Sequence, residues 1–160
     1  MIIYGINPVL EALRSGRVDE LWVADTRHAR LMRFLNAGSK SNGADADAAL
    51  GQFNFTESLE GTELDRLFLP SALTSMLGRL WVADNGNQRL VRHEAASTKI
   101  ALAPADGTLG QFIPPATSMA SPQGCGIDPV SGKLFVCDDQ KHRVLRYASA
   151  QALHDNAVPE

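Results

Sequence analysis

The sequence is poor in the residues that usually carry metal-binding or redox chemistry. Its 160 residues include only two cysteines, Cys125 and Cys137, and both lie in segments that we predict to be strands. Cysteine in such a position usually serves as a small buried hydrophobic residue, so we favour two free thiols over a disulfide between neighbouring strands. We expect no metal site, because no ligand spacing such as His-x-x-x-His occurs among the four histidines, His28, His93, His142 and His154.

Strong net charge and long apolar runs are also missing. Fifteen basic and eighteen acidic residues give a formal net charge of −3, so the chain has no bulk signature of binding to a polyanion or to a membrane surface. No apolar run approaches the roughly 18 residues of a membrane span. The segment from Met1 to Gly16 lacks the basic-then-apolar order of a signal peptide. We therefore expect a cytoplasmic protein with no membrane partner.

The sequence contains no recognisable catalytic motif. Spacing alone assembles neither a Ser-His-Asp set nor a Cys-His set. The glycine pair in Gly124-Cys125-Gly126 precedes a predicted strand and not a helix, so it is not a phosphate-binding loop. We therefore expect no catalytic residue and no cofactor.

What the sequence does contain is a repeat. The run Leu-Trp-Val-Ala-Asp occurs at residues 21–25 and 80–84 and returns as Leu-Phe-Val-Cys-Asp at residues 134–138. A second marker at residues 47–53 returns at residues 106–112, with the same offset as the first two copies of the run. Each run is short, aromatic and β-branched and is followed by a turn sequence, which predicts a strand, a turn and a returning strand. Antiparallel hairpins at a nearly constant period are what a β-propeller or a β-solenoid needs.

The repeated cassette resembles the NHL repeat, with Val-Ala-Asp, a turn containing Asn or His, and Arg followed by Leu or Val. The Leu-Gly-Gln-Phe marker and residues 122–129 are also similar to parts of NHL blades, and the resemblance covers about residues 20 to 149. It implies a mainly β fold, a partial NHL-type β-propeller of about 2.5 to 3 blades built of four-stranded antiparallel repeats. Trp22 and Trp81 occupy matching positions with Phe135, so we expect them in a blade core and not in a ligand platform. An unclosed stack would still expose end faces with residues such as Trp81 and Phe135.

The N-terminal segment follows a different pattern. Asn7 is a good N-cap, Pro8 suits the first helical position and Gly16 ends the segment, which predicts a short helix over residues 8–15. Residues 4–16 also resemble the opening of the substrate-binding domain of SPOUT-class rRNA ribose 2′-O-methyltransferases, in which the next strand often reads much like residues 20–24. None of that family's C-terminal, knot-forming cofactor motifs occurs here, so the resemblance implies no methyl transfer.

These patterns divide the chain into three parts. Residues 1–19 form a strand-helix segment, which is either a fusion remnant or a degenerate blade strand. Residues 20–150 hold the NHL-like repeats, and residues 151–160 form a C-terminal tail.

Two sets of charged residues recur with the repeat. An Arg follows each Asp by five residues, and we predict structural pairs, because catalytic groups normally break a repeat and buried charges are usually paired; the pairs are Asp25/Arg30, Asp84/Arg89 and Asp138/Arg143. A second Arg follows three residues later, at Arg33, Arg92 and Arg146. These three could form a basic strip for RNA phosphates, but the net negative charge favours a solvated edge strand instead.

The sequence therefore predicts a non-catalytic NHL-repeat binding scaffold that meets a protein or a small ligand on one propeller face. One alternative is a propeller hydrolase or lyase without a recognisable site, and another is a remnant of an rRNA 2′-O-methyltransferase that lacks the catalytic domain. RNA is a disfavoured partner on the basis of net charge. Two chains of about three units could close a six-bladed ring as a homodimer.

Overall fold

The computed structural model describes residues 13–16, 18–110, 118–155 and 157–160. The predicted helix over residues 8–15 falls mostly outside this part of the chain. At its end, Leu13 and Arg14 are helical, and Gly16 takes a left-handed conformation with a φ of +66°. The Gly16 N–H donates to the Leu13 carbonyl at 3.1 Å, which closes a turn where the sequence predicts the helix to stop.

Antiparallel strands form three sheets in the described residues. The first sheet consists of β1 (Glu20–Asp25), β2 (Arg30–Leu35) and β3 (Ala48–Leu50). The second consists of β4 (Pro70–Met76), β5 (Arg79–Asp84), β6 (Arg89–His93) and β7 (Gly107–Leu109). The third consists of β8 (Pro122–Ile127), β9 (Leu134–Asp138) and β10 (Arg143–Tyr147). Strands that follow each other in sequence are neighbours in each sheet, so the fold is built from local connections.

The repeated cassette forms a hairpin in each sheet. Asp25 stands directly opposite Arg30 at the closed end of the β1–β2 hairpin. The other two Asp/Arg pairs occupy the same register in β5–β6 and β9–β10. A short 3-10 turn joins the two strands and ends in a left-handed residue that reverses the chain, at Ala29, Gln88 and His142.

Each sheet has two different faces, because successive side chains of a strand point to opposite sides. We call the face that carries Leu21, Val23 and their equivalents the aliphatic face. The opposite face, which carries Trp22, Trp81 or Phe135, is the ring face. The ring face of the first sheet packs on the aliphatic face of the second, and the ring face of the second packs on the aliphatic face of the third. Two apolar cores therefore separate the three sheets.

The core between the second and third sheets corrects one expectation of the sequence analysis. Trp81 is fully buried because the third sheet covers it with Leu134 and Val136, which agrees with its expected place in a core and not with exposure on an end face. Burial of a large apolar side chain of this kind contributes roughly 1.5–3 kcal/mol to folding. Phe135, on the ring face of the third sheet, remains partly exposed.

The expectation of a mainly β fold with antiparallel sheets is confirmed, but its finer parts are not. Only the second sheet contains four strands, whereas the described residues of the first and third sheets supply three each. The three sheets form an open stack and not a closed barrel or a solenoid, since no described sheet lies against the aliphatic face of the first or the ring face of the third.

Helical structure is limited in the described part of the chain. It includes five 3-10 helices of three residues each, at Thr26–His28, Ala37–Ser39, Asn85–Asn87, Ala96–Thr98 and Asp139–Lys141. Across the same residues, no helix has the length and apolar character needed to cross a membrane.

Candidate functional site

An open groove of about 500 Å³ lies against the aliphatic face of the first sheet. Its floor comes from β1 and β2, and its walls come from the end of the N-terminal turn and from the segment that follows β2. The residues that line it are Leu13, Arg14, Leu21, Val23, Phe34, Ala37, Gly38, Lys40, Ser41, Asn42, Gly43 and Ala44.

The floor of the groove is apolar because it uses the same face that forms a core elsewhere. Leu21 stands opposite Phe34, and both side chains are partly exposed, as is that of Val23. The matching residues of the second sheet, Leu80 and Val82, are almost completely buried, with 1% and 0% exposure. The first sheet has no described sheet opposite this face, so the same residue types are left to line a groove.

One wall of the groove depends on a close approach between two glycines. The Gly38 N–H donates to the Val18 carbonyl at 2.8 Å. A Cβ atom on Gly38 would lie 2.8 Å from the backbone of Gly16, which is too close for any side chain. Ala37, beside it, is 8% exposed and forms the base of this wall. The segment after β2 is therefore held tightly against the N-terminal turn.

The two basic side chains at the groove differ in their freedom to bind a ligand. Arg14 is exposed, and no residue of the described chain forms an ion pair with it. Lys40 is bound to Asp47 at 3.0 Å, and the same pairing recurs one repeat later between Lys99 and Asp106 at 2.7 Å. The Leu35 N–H and the Lys40 ammonium both lower the pKa of Asp47. Lys40 is therefore largely a structural residue, and Arg14 is the available cation.

The structure places the three Asp/Arg pairs at the closed ends of their hairpins. The Arg Nε to Asp Oδ2 distances are 2.8 Å, 2.7 Å and 3.0 Å for Asp25/Arg30, Asp84/Arg89 and Asp138/Arg143. Each Arg also donates to a backbone carbonyl of a loop, which lies between β3 and β4 for Arg30 and Arg89 and before β8 for Arg143. These acceptors include Phe55, Thr62 and Ser118. The pairs therefore connect turn, strand and loop, and none of them lines the groove.

The balance between burial and hydrogen bonding sets the direction of the pKa shift of each carboxylate. Burial raises the pKa of Asp84, despite the N–H of Phe68 and the side chains of Asn87 and Arg89 that bind it. At Asp25 burial acts in the same direction, but His28 and Arg30 outweigh it and hold the pKa below its ordinary value. The pKa of Asp138 is likewise lowered, by two backbone N–H groups and by Arg143, against the effect of burial.

The second arginines do not form a continuous basic strip. Arg33 donates to the Ser97 carbonyl, and Arg92 donates to the Leu153 carbonyl at 2.8 Å, so each reaches the segment after the last cassette strand of the next sheet. Arg146 has no next sheet in the described chain. Its side chain is 50% exposed and forms an ion pair with Glu160 at 3.0 Å. Arg33 and Arg92 therefore connect neighbouring repeats of the chain through hydrogen bonds.

The cysteines and histidines form no ligand cluster. Cys125 is buried, which raises the pKa of its thiol to about 12, and Cys137 is exposed; both are free. In the described residues, no three His, Cys, Asp or Glu side chains come together in a way that could hold a metal ion.

The groove was not predicted, because the matching leucines were considered only as parts of repeated strands. The spacing of further residues could have shown that the groove residues belong to the repeat. Phe34, His93 and Tyr147 follow one another at the same spacing as the three cassettes, as do Ala37, Ala96 and Ala150. These residues extend the repeat beyond the Asp/Arg cassette. The spacing does not show which copy has no described sheet over its aliphatic face.

Comparison with known families gives one match, and it falls on the groove. Residues 2–46 match the model of a family described as RNA 2′-O ribose methyltransferase substrate binding. All twelve groove residues lie inside this segment, which ends just before β3. No curated protein matches the chain.

This match supports one resemblance from the sequence analysis and overturns the other. The similarity of the N-terminal residues to a ribose methyltransferase substrate-binding domain is confirmed for residues 2–46. The interpretation as an NHL-repeat β-propeller and binding scaffold is wrong, because the match is to this other family and the structure shows only a β-rich fold. The cassette misled because an Asp opposite an Arg suits the closed end of any antiparallel hairpin. The six-bladed ring built on that interpretation loses its basis.

Proposed function

We propose that the N-terminal part of this chain, residues 2–46, binds an RNA substrate for ribose 2′-O-methylation. The observation that carries the proposal is the coincidence of the family match with the groove, whose residues all lie within the matched segment. The proposal concerns binding of the substrate. No residue of the chain is assigned to methyl transfer.

The groove offers the two kinds of contact that single-stranded RNA uses. Unpaired bases stack on aromatic and apolar side chains, and Phe34 with Leu21 and Val23 presents such a surface. Phosphates need an available cation, and Arg14 stands at the groove without a described ion-pair partner. Double-stranded RNA would present neither free bases nor a narrow enough backbone for a groove of this size, so we expect single-stranded or loop RNA.

The distribution of charge also fits this proposal better than the net charge does. Residues 2–46 contain six basic and five acidic residues, a net charge of +1, whereas the rest of the chain carries −4. The expectation that RNA is a disfavoured partner used the sum of the two. Because electrostatic attraction is screened within about 10 Å at moderate salt, the local charge matters more than the total.

The proposal can be tested by fluorescence anisotropy with labelled single-stranded and duplex RNA of the same sequence. Phe34→Ala should weaken binding of the single strand by about tenfold, because stacking of one base is worth about 1–3 kcal/mol. Arg14→Gln should weaken it several-fold and reduce the slope of log affinity against log salt by about 0.7.

Arg27→Gln is the matched control, since it removes an equal charge from the same segment at the far end of β1, where the side chain is exposed. We expect a smaller loss of affinity for this variant and an unchanged circular dichroism spectrum for all three. Equal affinities for the wild type, Phe34→Ala and Arg14→Gln would contradict the proposal.

A further inference from the structure

Every sheet carries one aromatic residue, which we call its ring, and a group of four residues on or beside its aliphatic face, which we call its slot. The rings are Trp22, Trp81 and Phe135, one on each ring face. Each slot consists of four residues on or beside the aliphatic face, and corresponding members recur at the spacing of the cassettes: Leu21, Val23, Phe34 and Ala37; Leu80, Val82, His93 and Ala96; Leu134, Val136, Tyr147 and Ala150.

Two of the three slots are filled within the chain. Trp22 packs against the core that contains Leu80, Val82 and Ala96. Trp81 packs in the core that contains the slot of the third sheet, and its indole N–H donates to the Ala150 carbonyl at 3.2 Å. The slot residues of the second and third sheets are 5% exposed or less. Each ring therefore enters the slot of the following sheet.

No described sheet covers the remaining slot or the remaining ring. The slot of the first sheet is the floor and wall of the groove. Phe135 is partly exposed on the ring face of the third sheet, and next to it Val144 is 61% exposed and Cys137 is exposed. The equivalents of these three residues in the second sheet, Trp81, Leu90 and Ala83, are fully buried, at 0% exposure.

The hydrogen bonds of Arg33 and Arg92 run in the same direction as the ring contacts, from one sheet to the following one. Arg33 and Arg92 reach backbone carbonyls of the segments that follow β6 and β10, at Ser97 and Leu153. Each guanidinium lies 5.7 Å from the centre of its own sheet's indole ring. Arg146 holds the equivalent position beside Phe135 and points to no further sheet in the described chain. Its side chain is 50% exposed and forms an ion pair with Glu160.

We propose that the groove of one chain receives Phe135 from a second copy of the same chain. The contact is head-to-tail: the ring face of the third sheet packs on the aliphatic face of the first sheet of the partner, in the arrangement that the chain uses twice internally. The complementarity lies in apolar surface, which at the two internal contacts leaves the slot residues 5% exposed or less. This inference rests on the internal packing and is independent of the proposed binding of RNA.

Sedimentation velocity of the full chain over about 1 to 200 µM tests the contact. We expect the wild type to associate as concentration rises. Phe135→Ala, which removes the ring, should raise the dissociation constant more than about tenfold, and Phe135→Trp, which supplies the ring used at the two internal contacts, should lower it. Leu77→Ala is the control, because Leu77 is 88% exposed and lies away from both faces.

A mixing experiment identifies the two faces. Val23→Asp places a charge in the slot and keeps the ring intact, whereas Phe135→Ala removes the ring and keeps the slot intact. Each variant alone should stay monomeric, and an equimolar mixture should form a dimer through the one intact pair of faces. Thermal unfolding of each variant checks that the chain is folded. A wild type that remains monomeric at every concentration, or association that persists unchanged in both variants, would overturn the proposal.

Discussion

One position of the repeat shows how a single residue can set the response of the molecule to acid. Phe34, His93 and Tyr147 occupy equivalent places on the aliphatic faces of the three sheets. His93 is 3% exposed, and burial, together with the charge of Lys99, lowers its pKa to about 4 in spite of Asp106. Its Nδ1 atom is buried without a hydrogen-bond partner. The imidazole is therefore neutral in the native state.

This burial gives a signed prediction for the dependence of stability on pH. A histidine with an ordinary pKa of 6.5 in the unfolded chain binds a proton there before it does so in the folded chain. The contribution of His93 to the free energy of unfolding is therefore retained above pH 6.5 and is lost as the pH falls from there towards about 4. Between pH 7 and pH 5 the free energy of unfolding should fall by about 2 kcal/mol from this group.

Urea unfolding at the two pH values, for the wild type and for two variants, checks this expectation. His93→Phe, which places the residue type of the first sheet in the second, should remove most of the loss. His154→Gln changes an exposed histidine in the C-terminal segment and should retain it. If His93→Phe and the wild type lose the same free energy, the neutral buried imidazole is not the cause.

At the scale of the strand, the arginine three residues after each Asp/Arg pair has a different environment in each sheet. Arg92 is 13% exposed, donates to the carbonyls of Leu153 and Asp106 and forms an ion pair with Glu94 at 3.0 Å. Arg146, in the same place on β10, is 50% exposed. The same residue type at the same position therefore contributes differently according to what lies beside its strand.

We expect Arg92→Met to lower the free energy of unfolding by about 1.5–3 kcal/mol, the range for a hydrogen bond to a charged group. Arg146→Met, the matched change, should alter it by less than about 0.5 kcal/mol, because an exposed ion pair contributes little. Chemical unfolding at a protein concentration low enough to keep the chain monomeric gives both values. A loss of similar size in the two variants would show that the tie to the next sheet is not what makes Arg92 important.

The hairpins are the part of the fold that the sequence predicts best. Alternating side chains, a turn sequence and the regular Asp/Arg offset determine the strands and their register, because all three act between near neighbours in the chain. No strand is predicted at β3, because its three residues Ala48–Leu50 carry no alternation. The extent of burial at Trp81 depends on a sheet formed much later in the chain. The groove also depends on distant parts of the chain, because it lies where no described sheet covers the first sheet.

At the scale of the whole molecule, the two proposals assign two different ligands to the same groove. RNA and the Phe135 of a second chain would both contact Leu21, Val23 and Phe34. We therefore expect them to exclude each other. A saturating single-stranded RNA should shift the sedimentation profile from associated chains to single chains that carry RNA, and Phe135→Ala should bind RNA with higher apparent affinity than the wild type at high protein concentration.

Sedimentation with labelled RNA, recorded at separate wavelengths for RNA and protein, gives both readouts. Arg14→Gln serves as the control, because it weakens RNA binding without changing a slot residue. The same RNA concentration should dissociate a smaller fraction of its associated chains. Associated chains that carry RNA at full occupancy would contradict a shared site.

The order of the two faces also bears on how a chain like this can change in length. Every sheet has a ring face that fits the aliphatic face of the next sheet, so the stack has a direction. Duplication of one repeat unit would insert a sheet whose two faces already fit its neighbours on both sides. The first slot and the last ring would be the same before and after. Gene duplication could therefore lengthen the molecule without a compensating mutation at any contact, and deletion of a unit could shorten it in the same way.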